Sequence, residues 1–485
     1  MLSSQENFGS NLIDLCPRLL EIESVFKVIG MQRGQFSSRL AFIFAASGSA
    51  VGLGNIWGFP TNAAENGGAA FVLMYFILAF LLAYPALMAE LVIGRHTRSN
   101  MVSALQSISS GLKAKLVGRF VGIGGMITAA LILSFYSIVA GWMLAFMMEP
   151  IAVLLGQENL GTWLTDFSQG ESSHYYQLAR NIGFSGLFLL LTVLIISGGV
   201  EQGIEKWSSR LMPSLLALMV LLIGYVLTQD GASEGLRHYL VPDFSQITNP
   251  DLIVDAMGQA FFSMSLGVGT MLIYGSYIRE DENLPTVGAL VTLTDTSIAF
   301  LAGLLVLPAI FVAQNLGVTI YSDSSSLLNE DALIFQVLPA LFDGMGVTGV
   351  FVGFAFFILM SIAAVTSSIS MLEVPVSYVV ESHKIDRQRA TWIIGLIIFG
   401  ISTTISLNLD TLFGFVITLT TQRAQPLLSM MICIFAGWIF YRHTILNELK
   451  SGNPSIESGL FWKLWPAYVK FVCPLLILVT FAQGF

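Results

Sequence analysis

The chain has 485 residues, of which 55% are hydrophobic and only 11% are charged. A soluble domain carries roughly 25% charged residues, and apolar runs of about 18 or more residues recur along this chain, so a soluble core is excluded and a polytopic helical membrane protein is indicated. The net charge of -9 sits in the loops, and no nucleic-acid partner is expected.

Residues 1–30 hold acidic residues and no uninterrupted apolar core, so no cleavable signal peptide is expected. They read either as a mobile cytoplasmic extension ahead of "MQRGQFSSRL" from Met31 or as the result of an upstream start codon. Eleven spans follow, at about 40–64, 67–93, 119–149, 182–200, 207–228, 251–278, 286–313, 346–380, 390–407, 416–441 and 459–483. Arg33, Arg39, Arg95, Lys113, Lys206, Arg279, Lys384 and Arg442 fall in loops on one side, whereas the opposite loops hold almost only Arg180 and Arg237. That asymmetry puts the N-terminus in the cytoplasm and Phe485 outside. Two long outer loops are expected at 150–181 and 314–345, the second folding back as a short helical hairpin. Cys16, Cys433 and Cys473 show no metal spacing, and no disulfide framework is expected.

Span 1 holds "SAVGLGN" and span 6 holds "SMSLGVGT". Paired Gly-interrupted segments in two halves point to an inverted-repeat transporter, with 31–228 (spans 1–5) as one repeat, 251–441 (spans 6–10) as the other, and 459–485 as a span outside them. A broken helix frees backbone groups at membrane depth, which is tolerated where they line a cavity. Freed amides suit a carboxylate and freed carbonyls a cation. A single such motif is equally a packing site for small residues; the matched pair favours a binding site.

Hard oxygens suit a cation such as Na⁺. Span 8 offers Thr366, Ser367 and Ser368 in "AAVTSSIS", either as ligands or as hydroxyls bonded back to their own helix. Asp295, Glu90 and Glu373 are carboxylates inside spans and are functional candidates, as is Arg423 in span 10. Glu90 has a second reading, in which it satisfies the broken backbone of a neighbouring helix. No nucleophile–base pair or metal cluster appears within the spans, so an enzyme is not expected.

These residues resemble a known family. "RLAFIFAASGSAVGLGNIWGFPTNAAENGGAAF", "PALMAELVIGR", "SFYSIVAGW", "GQAFFSMSLGVGTMLIYGSY" and "TSSISMLEVPVSY" occur in the order found in the neurotransmitter:sodium symporters, especially their bacterial amino-acid transporters of the LeuT fold. The resemblance runs from Gln32 to about Phe440. It implies an all-α membrane protein with a 5+5 inverted repeat, discontinuous spans 1 and 6, and one extra C-terminal span.

It also implies roles. One Na⁺ would take the carbonyls of Gly48, Val51 and Ala363 with the hydroxyls of Thr366 and Ser367. A second would take the Ala50 carbonyl, Asn55, Ser263, Asp295 and the substrate's carboxylate. That carboxylate would meet the amides near Gly52, Leu53 and Gly54 and the Tyr136 hydroxyl. The substrate's amino group would meet the carbonyls of Ala50, Phe262 and Ser263 and the Ser265 hydroxyl. Its side chain would lie among Ile132, Tyr136, Phe262, Val268, Ser367 and Met371, an apolar pocket with room from the small Val268. On the cytoplasmic side, Arg33 and Glu381 match an inner gate pair, with Phe36 where Trp is usual and Ser276 and Tyr277 completing the network. Gly203 and Pro213 match a spacing at which span 5 could unwind and admit water to the first ion.

Asp295 stands where many relatives carry Asn, so a fixed charge would replace chloride and no chloride requirement is expected. Gly52 stands where monoamine transporters carry Asp, which argues for amino acids. Gly58 replaces the usual outer-gate Arg, and no acidic partner lies near Ile417. Arg423 could then replace the gate charge, bind an anionic group of the substrate, or be capped structurally. The chain also ends after span 11, where several relatives have twelve.

The resulting expectation is a two-Na⁺ symporter of neutral, hydrophobic or aromatic amino acids, multi-pass in the inner membrane, with oligomeric state open. The alternatives are a substrate-binding sensor with little transport, and a symporter of an acidic or ω-amino substrate that uses Arg423.

Overall fold

The computed structural model describes residues 34–154, 174–242, 244–245, 247–320 and 333–483. Among these the regular elements are all helical. Eight helices are long and apolar enough to cross a membrane, and two bent pairs raise the number to ten. Span 1 is one such pair, Arg39–Ala50 and Gly54–Glu65, meeting at 62°. Span 6 passes no length test because it is split into Pro250–Ser263 and Thr270–Gly275. In the other bent pair, Leu409–Ile439 is span 10 and Arg442–Gly452 turns away by 100°. The mobile extension expected at 1–30 and Arg33 lie outside the described residues.

Polar side chains start the helices where the sequence changes. The Ser38 hydroxyl accepts from the Ala41 amide at 3.2 Å at the start of span 1. Asn249 and Asn283 precede spans 6 and 7, each with a Pro in the first helical turn. Asp386 caps span 9 by accepting from the Gln388 amide at 3.1 Å.

The structure departs from the expected boundaries in several places. Span 3 runs Leu112–Leu154, because "LKAKLVGRF" continues its helical turn into the aqueous layer. Short helices Met101–Ser107, Ala232–Leu240 and Arg442–Gly452 occupy stretches read as loops. Of the expected hairpin over 314–345, Leu333–Gly344 is helical and 321–332 lies outside the described residues.

Span 2 packs tightly on the second half of span 6. A Cβ on Gly94 would lie 1.9 Å from the Leu272 carbonyl oxygen, and one on Gly275 would lie 2.9 Å from Leu91 Cα. Only glycine allows two backbones that close. This contact brings Glu90 of span 2 to the break in span 6. Cys433 and Cys473 are free and buried.

Candidate functional site

The two breaks use their glycines differently. In span 6, Gly267 and Gly269 have φ of 89° and 86°, and Ser265 between helix and break has φ 51°. Here glycine supplies the left-handed backbone. In span 1, Gly52 and Gly54 are not among the positive-φ residues. Their hydrogens instead make space: a Cβ on Gly52 would lie 2.6 Å from Ser367 Oγ, and one on Gly54 would lie 2.8 Å from Phe262 Cε1. The span 1 motif therefore serves close packing as well as an opening.

Glu90 fills the role of a backbone cap. Its Oε1 accepts from the Gly267 amide at 2.7 Å and its Oε2 from the Leu272 amide at 3.2 Å. Both are donors that the break in span 6 leaves without a helical carbonyl.

The first expected cation site is assembled in space. Ser367 Oγ lies 3.3, 3.2 and 3.1 Å from the carbonyl oxygens of Gly48, Ser49 and Val51. A hydroxyl has one proton, so at most one of the three oxygens receives it. The surplus of acceptors suits a cation. Thr366 Oγ1 donates to the Ala363 carbonyl at 3.0 Å, back along its own helix, and its Cβ lies 3.2 Å from the Cβ position of Gly48. Ser368 also bonds back, to Val365 at 2.8 Å, and meets Thr192 rather than span 1.

The second site centres on Asp295, which is fully buried. Its oxygens accept from Asn55 Nδ2 at 2.8 Å, Ser263 Oγ at 2.7 Å and Tyr75 Oη at 3.2 Å. All are neutral donors, and no salt bridge to Asp295 is found among the described residues. A buried carboxylate ringed only by neutral groups suits a cation. Asn55 departs from its expected part: its Oδ1 accepts from the Gly52 amide at 3.3 Å, and its nitrogen faces the carboxylate. The carboxylate's negative oxygens draw the donor end of the amide.

Every residue expected to hold the amino acid lines one cavity of 30 Å³, from Ala50 and Gly52 to Ser367 and Met371, and Gln425 joins them. The Leu53 amide donates to Tyr136 Oη at 3.4 Å across it. A wider cavity of 660 Å³ lies beside it, bordered by Trp57, Gly58, Asn62, Asp255, Gln259 and Phe413 among others. Leu53, Gly54, Tyr136, Phe262 and Gln425 line both. Gly58 leaves room there: the nearest atom to a Cβ would be Gln259 Oε1 at 3.7 Å. Gln259 Nε2 donates to the Gly54 carbonyl at 2.7 Å, which ties the first half of span 6 to span 1.

Arg423 does not join this wall. It is exposed and lines neither cavity, whereas Thr421, Gln422 and Gln425 line the wider one. It stands beside Thr421 and Gln422 of the wider cavity without lining either space. A wide helical turn over Thr418–Ala424 shifts the face presented by this segment.

At the other end the helices are closed. Phe36 is buried, donates its amide to the Tyr277 carbonyl at 3.1 Å, and packs edge-on against Phe42, Tyr274 and Tyr277. Ser276 is fully buried beside them. Glu381 accepts from the Asn100 amide at 2.7 Å and from Asn100 Nδ2 at 2.8 Å; its expected partner Arg33 lies outside the described residues. A pair the sequence reading missed stands here. Arg387 donates from both terminal nitrogens to the buried Glu373, which also accepts from Tyr277 Oη at 2.6 Å. Span 5 restarts after Gly199 (φ 82°), with a wide turn over Val200–Glu205.

A family model described as the sodium:neurotransmitter symporter family matches residues 33–166 and 173–485. The chain belongs to that family. It is 32% identical over 461 residues to the sodium-dependent transporter YhdH of Bacillus subtilis, covering 92% of this chain and 96% of YhdH. It is 32% identical over 470 residues to a sodium-dependent transporter of Haemophilus influenzae, covering 93% and 98% respectively. The crystal structure of MhsT in complex with L-phenylalanine superposes with a TM-score of 0.77 at 34% identity, covering 93% of this chain and all of MhsT. As a sodium:neurotransmitter symporter with the LeuT-type fold, the protein is a multi-pass, sodium-dependent transporter and not an enzyme.

Proposed function

We propose that this symporter carries neutral amino acids with apolar or aromatic side chains, driven by two Na⁺ and without chloride. The observation that carries the reading is the placement of two cation-hungry oxygen sets, at Ser367 and Asp295, on either side of a cavity lined by the freed backbone of Ala50–Gly54. Gly48, Val51, Ala363, Thr366 and Ser367 would hold one ion. Ala50, Asn55, Ser263, Asp295 and the substrate's carboxylate would hold the other, with the Asn55 amide turned to present its oxygen. The shared carboxylate makes ion and substrate binding mutually supportive. Each charge moved inward gains about 2.3 kcal/mol per 100 mV.

The substrate side chain would lie among Ile132, Val268 and Met371, whose apolar surfaces favour a neutral group. In MhsT the bound molecule is L-phenylalanine. Asp295 supplies a fixed negative charge beside the second ion, which removes the need for an anion from solution. Residues 31–228 and 251–441 would form the two repeats, with the wider cavity facing outside and the N-terminus in the cytoplasm of an inner-membrane protein. Phe36, Ser276, Tyr277, Glu381 and Arg33 would close the inner side. Arg423 lines neither cavity, so the acidic-substrate reading gains no support from it.

A thermal-shift screen of purified protein tests this. The twenty amino acids, GABA and taurine would each be offered in NaCl, KCl and sodium gluconate. Stabilisation by apolar amino acids in both sodium salts and not in KCl is expected. An equal shift in KCl would sink the sodium-coupled reading, and loss in gluconate would sink chloride independence.

A further inference from the structure

Gln425 is a polar residue in span 10 that neither the ion sites nor the carboxylate site uses. It is 3% exposed, and its Oε1 is buried without a hydrogen-bond partner among the described residues. A buried amide oxygen left unpaired is costly, and such atoms are rare unless something fills the position. Its neighbours explain its location. The Gln425 carbonyl oxygen presses on the break in span 6, 2.4 Å from where a Cβ on Gly267 would stand. Val268, the small residue of the side-chain pocket, follows directly.

Gln425 also borders both cavities. The inner one, at 30 Å³, holds about one or two waters, so a long substrate side chain must reach toward the wider space. Gln425 borders both spaces at that route, with its Oε1 buried behind the wall. On the inner side the side-chain wall is apolar: Ile132, Val268 and Met371 are all buried. An apolar body with a single polar tip is the chemistry of tryptophan and tyrosine, whose N–H or O–H finds a partner when buried.

We propose that Gln425 reads the tip of the substrate's side chain, accepting a hydrogen bond from an indole N–H or a phenol O–H, so that tryptophan and tyrosine are preferred over fully apolar amino acids. This rests on the amino-acid reading of the same site. A site built to pair with a donor discriminates against analogues that lack it, because the acceptor is then left unpaired.

The test uses the full chain in proteoliposomes with NaCl. Affinity is measured for tryptophan against 3-benzothienylalanine, in which sulfur replaces the N–H, and for tyrosine against phenylalanine. The wild type is expected to favour the donor-bearing member of each pair by about tenfold. Gln425→Met keeps the volume and removes the amide, and should bring both ratios toward one. Gln425→Glu keeps an acceptor and should retain a preference. Ratios near one in the wild type overturn the proposal, even if the variants do not fold. Ratios unchanged in Gln425→Met overturn it too. Failure of all four ligands to bind in a sodium-dependent way would instead overturn the amino-acid reading beneath it.

Discussion

The Ser37 amide donates to Glu205 Oε2 at 2.9 Å, and the Ser37 hydroxyl donates to Oε1 of the same carboxylate. Glu205 ends the wide turn with which span 5 restarts after Gly199. Further along span 5, Met212 Sδ lies 3.3 Å from the Cβ position of Gly48, so this span packs against the proposed first ion site. A loosening of span 5 would thereby release the inner end of span 1. Glu205→Ala is expected to speed amide exchange in residues 37–41 by about fivefold, the worth of about 1 kcal/mol of hydrogen bonding. Hydrogen–deuterium exchange in NaCl measures it, and unchanged rates in that peptide would break the link.

Glu90 caps two amides at once. In Glu90→Gln only one side-chain oxygen remains to accept, so one amide of the span 6 break loses its partner. A stability loss of about 1–3 kcal/mol follows, read as a lower melting temperature in NaCl and in KCl alike. A loss confined to NaCl would mean that Glu90 acts on ion binding instead.

The glycines of span 1 should divide. Gly52→Ala places a methyl 2.6 Å from Ser367 Oγ, and Gly54→Ala places one 2.8 Å from Phe262. Overpacking of this kind costs about 1–3 kcal/mol, and both variants are expected to lose sodium-dependent ligand binding. Gly58→Ala meets nothing closer than 3.7 Å and should keep its fold. Equal damage from all three would refute the division.

Asp295 and Ser367 carry different ions in the proposed arrangement. Asp295→Asn removes the only fixed charge of its cluster and should weaken sodium dependence by at least about tenfold, since breaking a buried charge pair is strongly destabilising. Ser367→Ala should weaken it too, with the remaining sodium response still supported by Asp295. Sodium titrations of ligand-induced stabilisation distinguish the two, and a wild-type sodium affinity in Asp295→Asn would remove that residue from the ion site.

The positions of the breaks were legible because glycine, asparagine and hydroxyl residues interrupt apolar runs that would otherwise be continuous. The different uses of the two glycine motifs were not, because φ is set by what surrounds each break. Span 10 shows the limit more sharply. Wide turns at Leu409–Phe413, Thr418–Ala424 and Phe435–Ile439 each depart from the 3.6-residue period. Counting along that period does not place Arg423 or Gln425 on a face. Arg387 reads as a loop charge in the sequence, because its partner Glu373 is reached only through the turn between spans 8 and 9.

Gly58 contributes no side chain to the wider cavity, and among the described residues lining it Asp255 is the one that carries a charge. The lining of the wider cavity therefore carries one carboxylate and no cation, where an arginine at position 58 would have balanced it. A low-dielectric funnel of one sign concentrates ions of the opposite sign and slows those of the same sign. In the proposed arrangement sodium would be gathered before it reaches Asp295 or Ser367, and glutamate or aspartate would be slowed in the antechamber. Discrimination against anionic solutes would then begin as a difference in arrival rate, one that rising ionic strength erodes, well before any contact is made inside.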